Sequence, residues 1–159
     1  MSDNTSTDTR KHFPRLAEMA ALVGEHLATS PWITVDQQRI NLFADATGDH
    51  QWIHVDVERA KAGPYGAPIA HGFLTLSLLP ELNASAMVID DVKMSINYGL
   101  NKVRFTGPVP AGSRVRAQIK LKAYDVIEGG AQMTTEVTIE REGATKPVCV
   151  AEAVSRRFT

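Results

Sequence analysis

The sequence predicts an α+β domain in which a curved antiparallel sheet wraps one buried hydrophobic helix. Three observations carry this reading. Residues Ala70 to Leu82 are apolar nearly all round, with Phe73, Leu74, Leu76, Leu78 and Leu79 leaving no polar face, the pattern of a helix buried on all sides. The chain after Val92 is rich in strand-like runs separated by Gly129-Gly130 and Gly143. At 159 residues there is room for one core of ordinary size.

The elements follow in order. Residues 1–12 are rich in Ser, Thr, Asp and Asn and are expected to form a disordered tail. Phe13, Leu16, Met19, Ala20, Val23 and Leu27 recur at three- and four-residue intervals, which predicts an N-terminal helix within 13–30. Ser30-Pro31 ends it, and Trp32 to Val35 reads as a short strand that opens the main domain, 31–159. Asp36 is placed to cap a second helix with Ile40, Phe43 and Ala44 on its buried stripe, and Gly48 to end it. From Asp49 to Pro68 no period holds, so a long ordered loop is expected, and such loops tend to be functional. After the apolar helix come four antiparallel strands. The second is the clearest: Val115, Ala117, Ile119, Leu121 and Ala123 alternate with Arg114, Arg116, Gln118, Lys120 and Lys122, leaving one face to solvent.

Composition excludes several functions. Lys plus Arg number 17 against 18 Asp plus Glu, a formal net charge of -1, without the clustered basic excess that a nucleic-acid partner requires. The longest apolar stretch, near Phe73 to Pro80, is too short to span a bilayer, so no membrane partner is expected. The polar N-terminus has no apolar segment behind it, which argues against a secretory signal and for a cytoplasmic protein. The single cysteine, Cys149, has no partner for an internal disulfide and sits in a strand-like run, where a buried, inert thiol is expected.

The polar candidates cluster around the long loop: Asp49, His50, His54, Asp56 and His71. Asp49 and His54, five residues apart in irregular backbone, can converge on one small molecule such as water. A carboxylate and an imidazole together can remove one proton and supply another near neutral pH. The same spacing also fits a structural pair, with Asp capping the turn and His packing. His50, His54, Asp49 and His71 could be read as metal ligands, but no cysteine cluster supports a zinc site and no metal is assigned. His71-Gly72 opens the buried helix, where unpaired N–H groups and the helix dipole favour negative charge. Gly72 therefore serves either as an oxyanion donor or as a close-packing residue against the sheet. Lys102 and Arg104 are candidates for binding coenzyme A phosphates, with plain solvation as the competing role.

With these segments placed, the sequence resembles the MaoC-like family, which includes (R)-specific enoyl-CoA hydratases and 3-hydroxyacyl-thioester dehydratases. The resemblance is carried by ADATGDHQWIHVD at 44–56, APIAHGFLTLSLLP at 67–80 and NYGLNKVRFTGPVPAGSRV at 97–115, in family order from about Trp32 to the C-terminus. It is strongest to the branch holding mycobacterial single-hot-dog hydratases and nodulation protein N-like proteins. The resemblance implies a hot-dog fold that pairs as a homodimer, and hydration of a trans-2-enoyl-CoA or carrier-protein thioester without a cofactor. It implies Asp49 and His54 as the catalytic pair and Gly72 as the N–H donor to the thioester carbonyl; for hydration, Asp49 is expected to act as general base and His54 as general acid. Two departures stand out: Gln51-Trp52 replaces the Asn-Pro common in the family, so Trp52 is expected to reshape the substrate pocket, and Pro80 stands where some relatives carry a polar serine. A thioesterase or a non-catalytic acyl-thioester binding protein would share the fold.

Overall fold

The computed structural model describes residues 7–159. Strand β1 (Lys11–Phe13) is followed by a 3-10 helix (Leu16–Leu22), β2 (His26–Thr29) and β3 (Ile33–Val35). Helices α1 (Gln37–Thr47), α2 (Trp52–Val55), α3 (Val57–Lys61), α4 (Gly72–Ser77) and α5 (Leu79–Ala86) come next. The chain closes with β4 (Met87–Ile89), β5 (Met94–Phe105), β6 (Ser113–Ile127), β7 (Gly130–Arg141) and β8 (Cys149–Phe158).

The main sheet runs β2-β6-β7-β8-β5, with β3 also paired to β6, and every pairing in it is antiparallel. Register shifts at Asn97/Gly99 and Leu100/Lys102 in β5 and at Leu121/Ala123 in β6 bend the strands and give the sheet its curl. Leu74, Leu78, Leu79 and Leu82 of α4 and α5 lie in that curl against Val115, Ile119, Met133 and Val137, in one core cluster. The bulge after Leu121 also interrupts the expected alternation: Val115 to Leu121 keep their odd positions buried, whereas Ala123 is half-exposed.

Several expectations are corrected. The run expected as one N-terminal helix forms β1, the 3-10 helix and β2 instead. Leu16, Met19 and Leu22 recur every three residues, the period of a 3-10 turn, and Gly24, at φ +93, then turns the chain so that His26–Thr29 pairs with β6. The tail expected over 1–12 lies partly in residues 1–6, outside the described residues, while Lys11 and His12 pair with β4. The long loop contains α2 and α3, each too short to leave a periodic trace.

The central helix is not buried on all sides. It tightens at Leu78, which ends α4 and begins α5, and Pro80 sits in the first turn of α5 where no N–H is needed. Phe73 is 67% exposed in the single chain. Elsewhere the reading of the caps agrees with the structure. Asp36 accepts from the Arg39 N–H, and Gly48, at φ +80, closes α1 by donating to the Ala44 carbonyl.

Candidate active site

The left-handed turn at Gly48 ends α1 and hands the chain to Asp49, whose side chain stays exposed. Its Oδ1 accepts from the Gln51 N–H at 3.3 Å, a local bond that starts the turn into α2. That single turn of helix carries His54 inward until it is 6% exposed. Gln37 of α1 anchors the turn by donating to the His54 carbonyl at 2.8 Å.

The His54 ring is held in one orientation. Its Nδ1 lies 2.7 Å from the carbonyl oxygen of Ile69. A carbonyl only accepts, so Nδ1 carries the proton and Nε2 of the neutral ring presents a lone pair. Burial pushes the His54 pKa below its ordinary 6.5; the Ile69 bond opposes this, His71 adds to it, and Asp49 opposes it by its charge. The ring is therefore a neutral acceptor at pH 7.

His71 forms the floor. It is 2% exposed, and its Nε2 donates to the backbone carbonyl of Asp49 at 2.9 Å. Its ring stacks on His54 with centroids 3.8 Å apart and planes 24° apart, and Phe43 covers it at 4.9 Å. A carboxylate oxygen of Asp49 and one ring nitrogen from each of His54 and His71 all lie within 4.8 Å of one another. The metal reading gains little from this cluster. Stacked imidazoles keep their lone pairs in near-parallel planes, whereas ligands of one ion must converge on a point. His50, the other histidine of that reading, bonds Asp45 at the surface at 2.9 Å, which raises its pKa.

Gly72 opens α4 beside this cluster. Among the described residues no hydrogen bond takes its N–H, as befits the first turn of a helix. A Cβ at this position would lie 2.7 Å from Cδ2 of Phe105. Close packing against the sheet is thus a geometric fact, and it leaves the N–H free.

The remaining candidates are placed elsewhere. Trp52 packs its ring against Gly63, with the Arg59 guanidinium 4.3 Å from its centroid, so it braces the turn between α2 and α3. Lys102 and Arg104 alternate along β5 with Val103 and Phe105. Phe105 meets Gly72, so the two cations project from the opposite face, away from the Asp49–His54 cluster of their own chain. Cys149 is fully buried, and burial pushes its thiol up to about 11, which leaves it inert. Sequence reasoning missed the Ile69 carbonyl, a backbone group that no residue type announces, and Phe105, whose residue type does not mark it out within β5.

Comparison with known proteins bears on this geometry. A model of the MaoC like domain matches residues 18–143, so the match begins before Trp32 and takes in part of the N-terminal segment. The chain is 56% identical over 145 residues to 3-hydroxyacyl-thioester dehydratase Z of Mycobacterium tuberculosis, covering 91% of this chain and 96% of that protein. It is 48% identical to nodulation protein N of Rhizobium meliloti, covering 91% of each. In three dimensions it is similar to the (R)-hydratase from A. caviae involved in PHA biosynthesis, with a TM-score of 0.66, 25% identity and coverage of 84% of this chain and 94% of that one.

Proposed function

The chain belongs to the MaoC-like family of hot-dog proteins, and from that premise we propose that it interconverts trans-2-enoyl and (R)-3-hydroxyacyl thioesters by adding or removing water. The observation that carries this reading is the pairing of an exposed carboxylate, Asp49, with a buried neutral imidazole, His54, beside the open N–H of Gly72. The named activities of the dehydratase and hydratase relatives support the same chemistry, and the (R) configuration is taken from the hydratase.

In the hydration direction a water sits between Asp49 and His54. Its oxygen bonds to C3, and the double-bond pair moves through C2 onto the thioester oxygen. The Gly72 N–H donates to that oxygen as charge develops. His54 Nε2 takes a proton from the attacking water and then returns one to C2 on the same face, which restores the carbonyl and the neutral ring. Asp49 holds the water's other hydrogen and steadies the transient imidazolium. This division differs from a carboxylate base with a histidine acid: a His54 that starts neutral accepts first and acts as acid second. The thioester itself acidifies C2, so the reaction needs no cofactor.

The working unit we propose is a homodimer. Among the described residues β5 forms one edge of the sheet and leaves Met94, Ile96, Tyr98 and Leu100 exposed in the single chain. A long apolar edge of this kind is stable in water only when covered, and an antiparallel copy of β5 would extend the sheet across a two-fold axis. No helix among the described residues is long and apolar enough to cross a membrane.

The test is the ultraviolet absorbance of the conjugated enoyl thioester, followed with crotonyl-CoA and a medium-chain enoyl-CoA. Loss of signal that is abolished by Asp49→Asn supports the reading. Release of free thiol would mark a thioesterase instead, and no change with folded protein would mark a binding protein.

A further inference from the structure

A cavity of about 740 Å³ lies between α4–α5 and the inner faces of β5 and β8. Neither Asp49 nor His54 lines it. Its near end is at Leu76, one helical turn beyond Gly72 on the same helix, and Leu79, Val88 and Leu100 make its walls apolar. That volume suits a small-molecule chain, and its near end adjoins the place assigned to the thioester carbonyl.

Arg157 stands out on this wall. In β8 it shares a face with Ala151, Ala153 and Ser155, and it pairs with the fully buried Ala131 of β7. A cation thus occupies the apolar side of a strand. Its Nε is enclosed and has no hydrogen-bond partner among the described residues, and no salt bridge among them includes it. The second guanidinium of the cavity, Arg10, is already held by Asp8 through Nε and Nη2 at 2.9 and 2.6 Å. Burial alone lowers the Arg157 pKa, with no carboxylate acting against it.

A guanidinium in an apolar wall is costly unless an anion answers it. We propose that this cavity receives the acyl chain of a thioester whose far end carries a carboxylate, and that Arg157 selects that end. Asn83 of α5, Asn97 of β5 and Ser155 of β8 also line the cavity and supply further polar contacts for it. The proposal rests on the acyl-thioester reading above and adds the substrate class.

The experiment compares two trans-2-enoyl-CoA esters of equal medium chain length, one ending in a methyl group and one in a carboxylate. The wild-type protein is expected to favour the carboxylate in kcat/KM by at least about tenfold, the worth of one charge-assisted hydrogen bond. Arg157→Met should bring the ratio to unity or invert it, and Arg157→Lys should keep part of it. A wild-type ratio at or below unity, or a preference that survives Arg157→Met, overturns the proposal. Should neither ester turn over, the hydratase reading fails, and calorimetric titration with a medium-chain dicarboxylic acid against the matching monoacid decides the pocket. Tighter diacid binding that is lost in Arg157→Met supports it, and equal binding overturns it. If Arg157→Met does not fold by circular dichroism, Arg157→Lys carries the comparison, with an unchanged ratio overturning the proposal.

Discussion

His54 and His71 stack with ring centroids 3.8 Å apart, and each ring donates one N–H to a different backbone carbonyl, Ile69 for His54 and Asp49 for His71. The two bonds do separate work. One leaves His54 Nε2 as an acceptor, and the other fixes the backbone from which the Asp49 carboxylate projects. The stack also couples them, because His71 opposes a proton on His54.

The first prediction is the pH profile. If His54 accepts the water proton, kcat/KM should be flat above neutrality and fall as pH drops through the folded pKa of His54, which lies below 6.5. A histidine that had to start protonated would give the opposite slope, with activity rising on acidification. Stability has the same sign. The unfolded chain takes a proton near pH 6.5 that the folded site refuses, so folding weakens as pH falls below that value. Kinetics from pH 5 to 9 and denaturant unfolding at pH 5 and 8 check both.

The second prediction concerns His71. His71→Leu keeps a buried apolar body but leaves the Asp49 carbonyl without its donor, which should cost about 1–3 kcal/mol of stability. It should lower kcat more than it changes KM, because the carboxylate is displaced while the acyl site stays. The acid limb should also move upward, since the repulsion from His71 on His54 is gone. His71→Gln, which can still donate, should recover part of the rate. A purely structural role would lower stability without moving the pH profile.

How much of this was legible in the sequence depends on the kind of interaction. Asp36, Gly48 and Gly129 act on their nearest neighbours, and their turns and caps stand where the residue types place them. The alternation from Val115 to Leu121 shows in the side chains because one face of β6 is core. The bulge after Leu121 depends on how β6 and β7 register, and no local pattern reveals it. The N-terminal segment was misread because its three-residue period suits a 3-10 helix as well as an α-helix, and pairing with β6 decides the rest. At the site, Asp49 and His54 could be singled out, whereas the state of His54 turns on the Ile69 carbonyl. Arg157 left a faint signal: a charge in register with Ala151 and Ala153 on the side of β8 that ought to be apolar.

The third prediction separates the two roles of Gly72. Gly72→Ala keeps the N–H but drives a methyl to 2.7 Å from the Phe105 ring. Phe105 is 45% exposed and can swing outward, so the protein should fold with a loss of about 1 kcal/mol, a typical cost of overpacking. Activity should fall further than stability, because the start of α4 shifts with its N–H. Adding Phe105→Leu makes room for the methyl and should recover most of the kcat/KM. Failure of the double variant to recover, with normal stability, would show that Gly72 does more than give up space.

The last prediction addresses the edge strand. Leu100 and Ile96 are 46% and 43% exposed on β5, which has no neighbouring strand on its outer side among the described residues. In a two-fold pairing each substituted position meets its own region of the partner, so one added charge appears twice across the interface. Ile96→Glu should therefore convert a dimer to monomer by light scattering coupled to size-exclusion chromatography, while the isolated chain keeps its circular dichroism. Lys102 and Arg104 also lie on this strand, so loss of pairing tests their assignment to coenzyme A. If they bind phosphates of a thioester held by the partner's site, the monomer should lose affinity for free coenzyme A along with turnover. If they are only solvated, coenzyme A affinity should be the same in monomer and dimer.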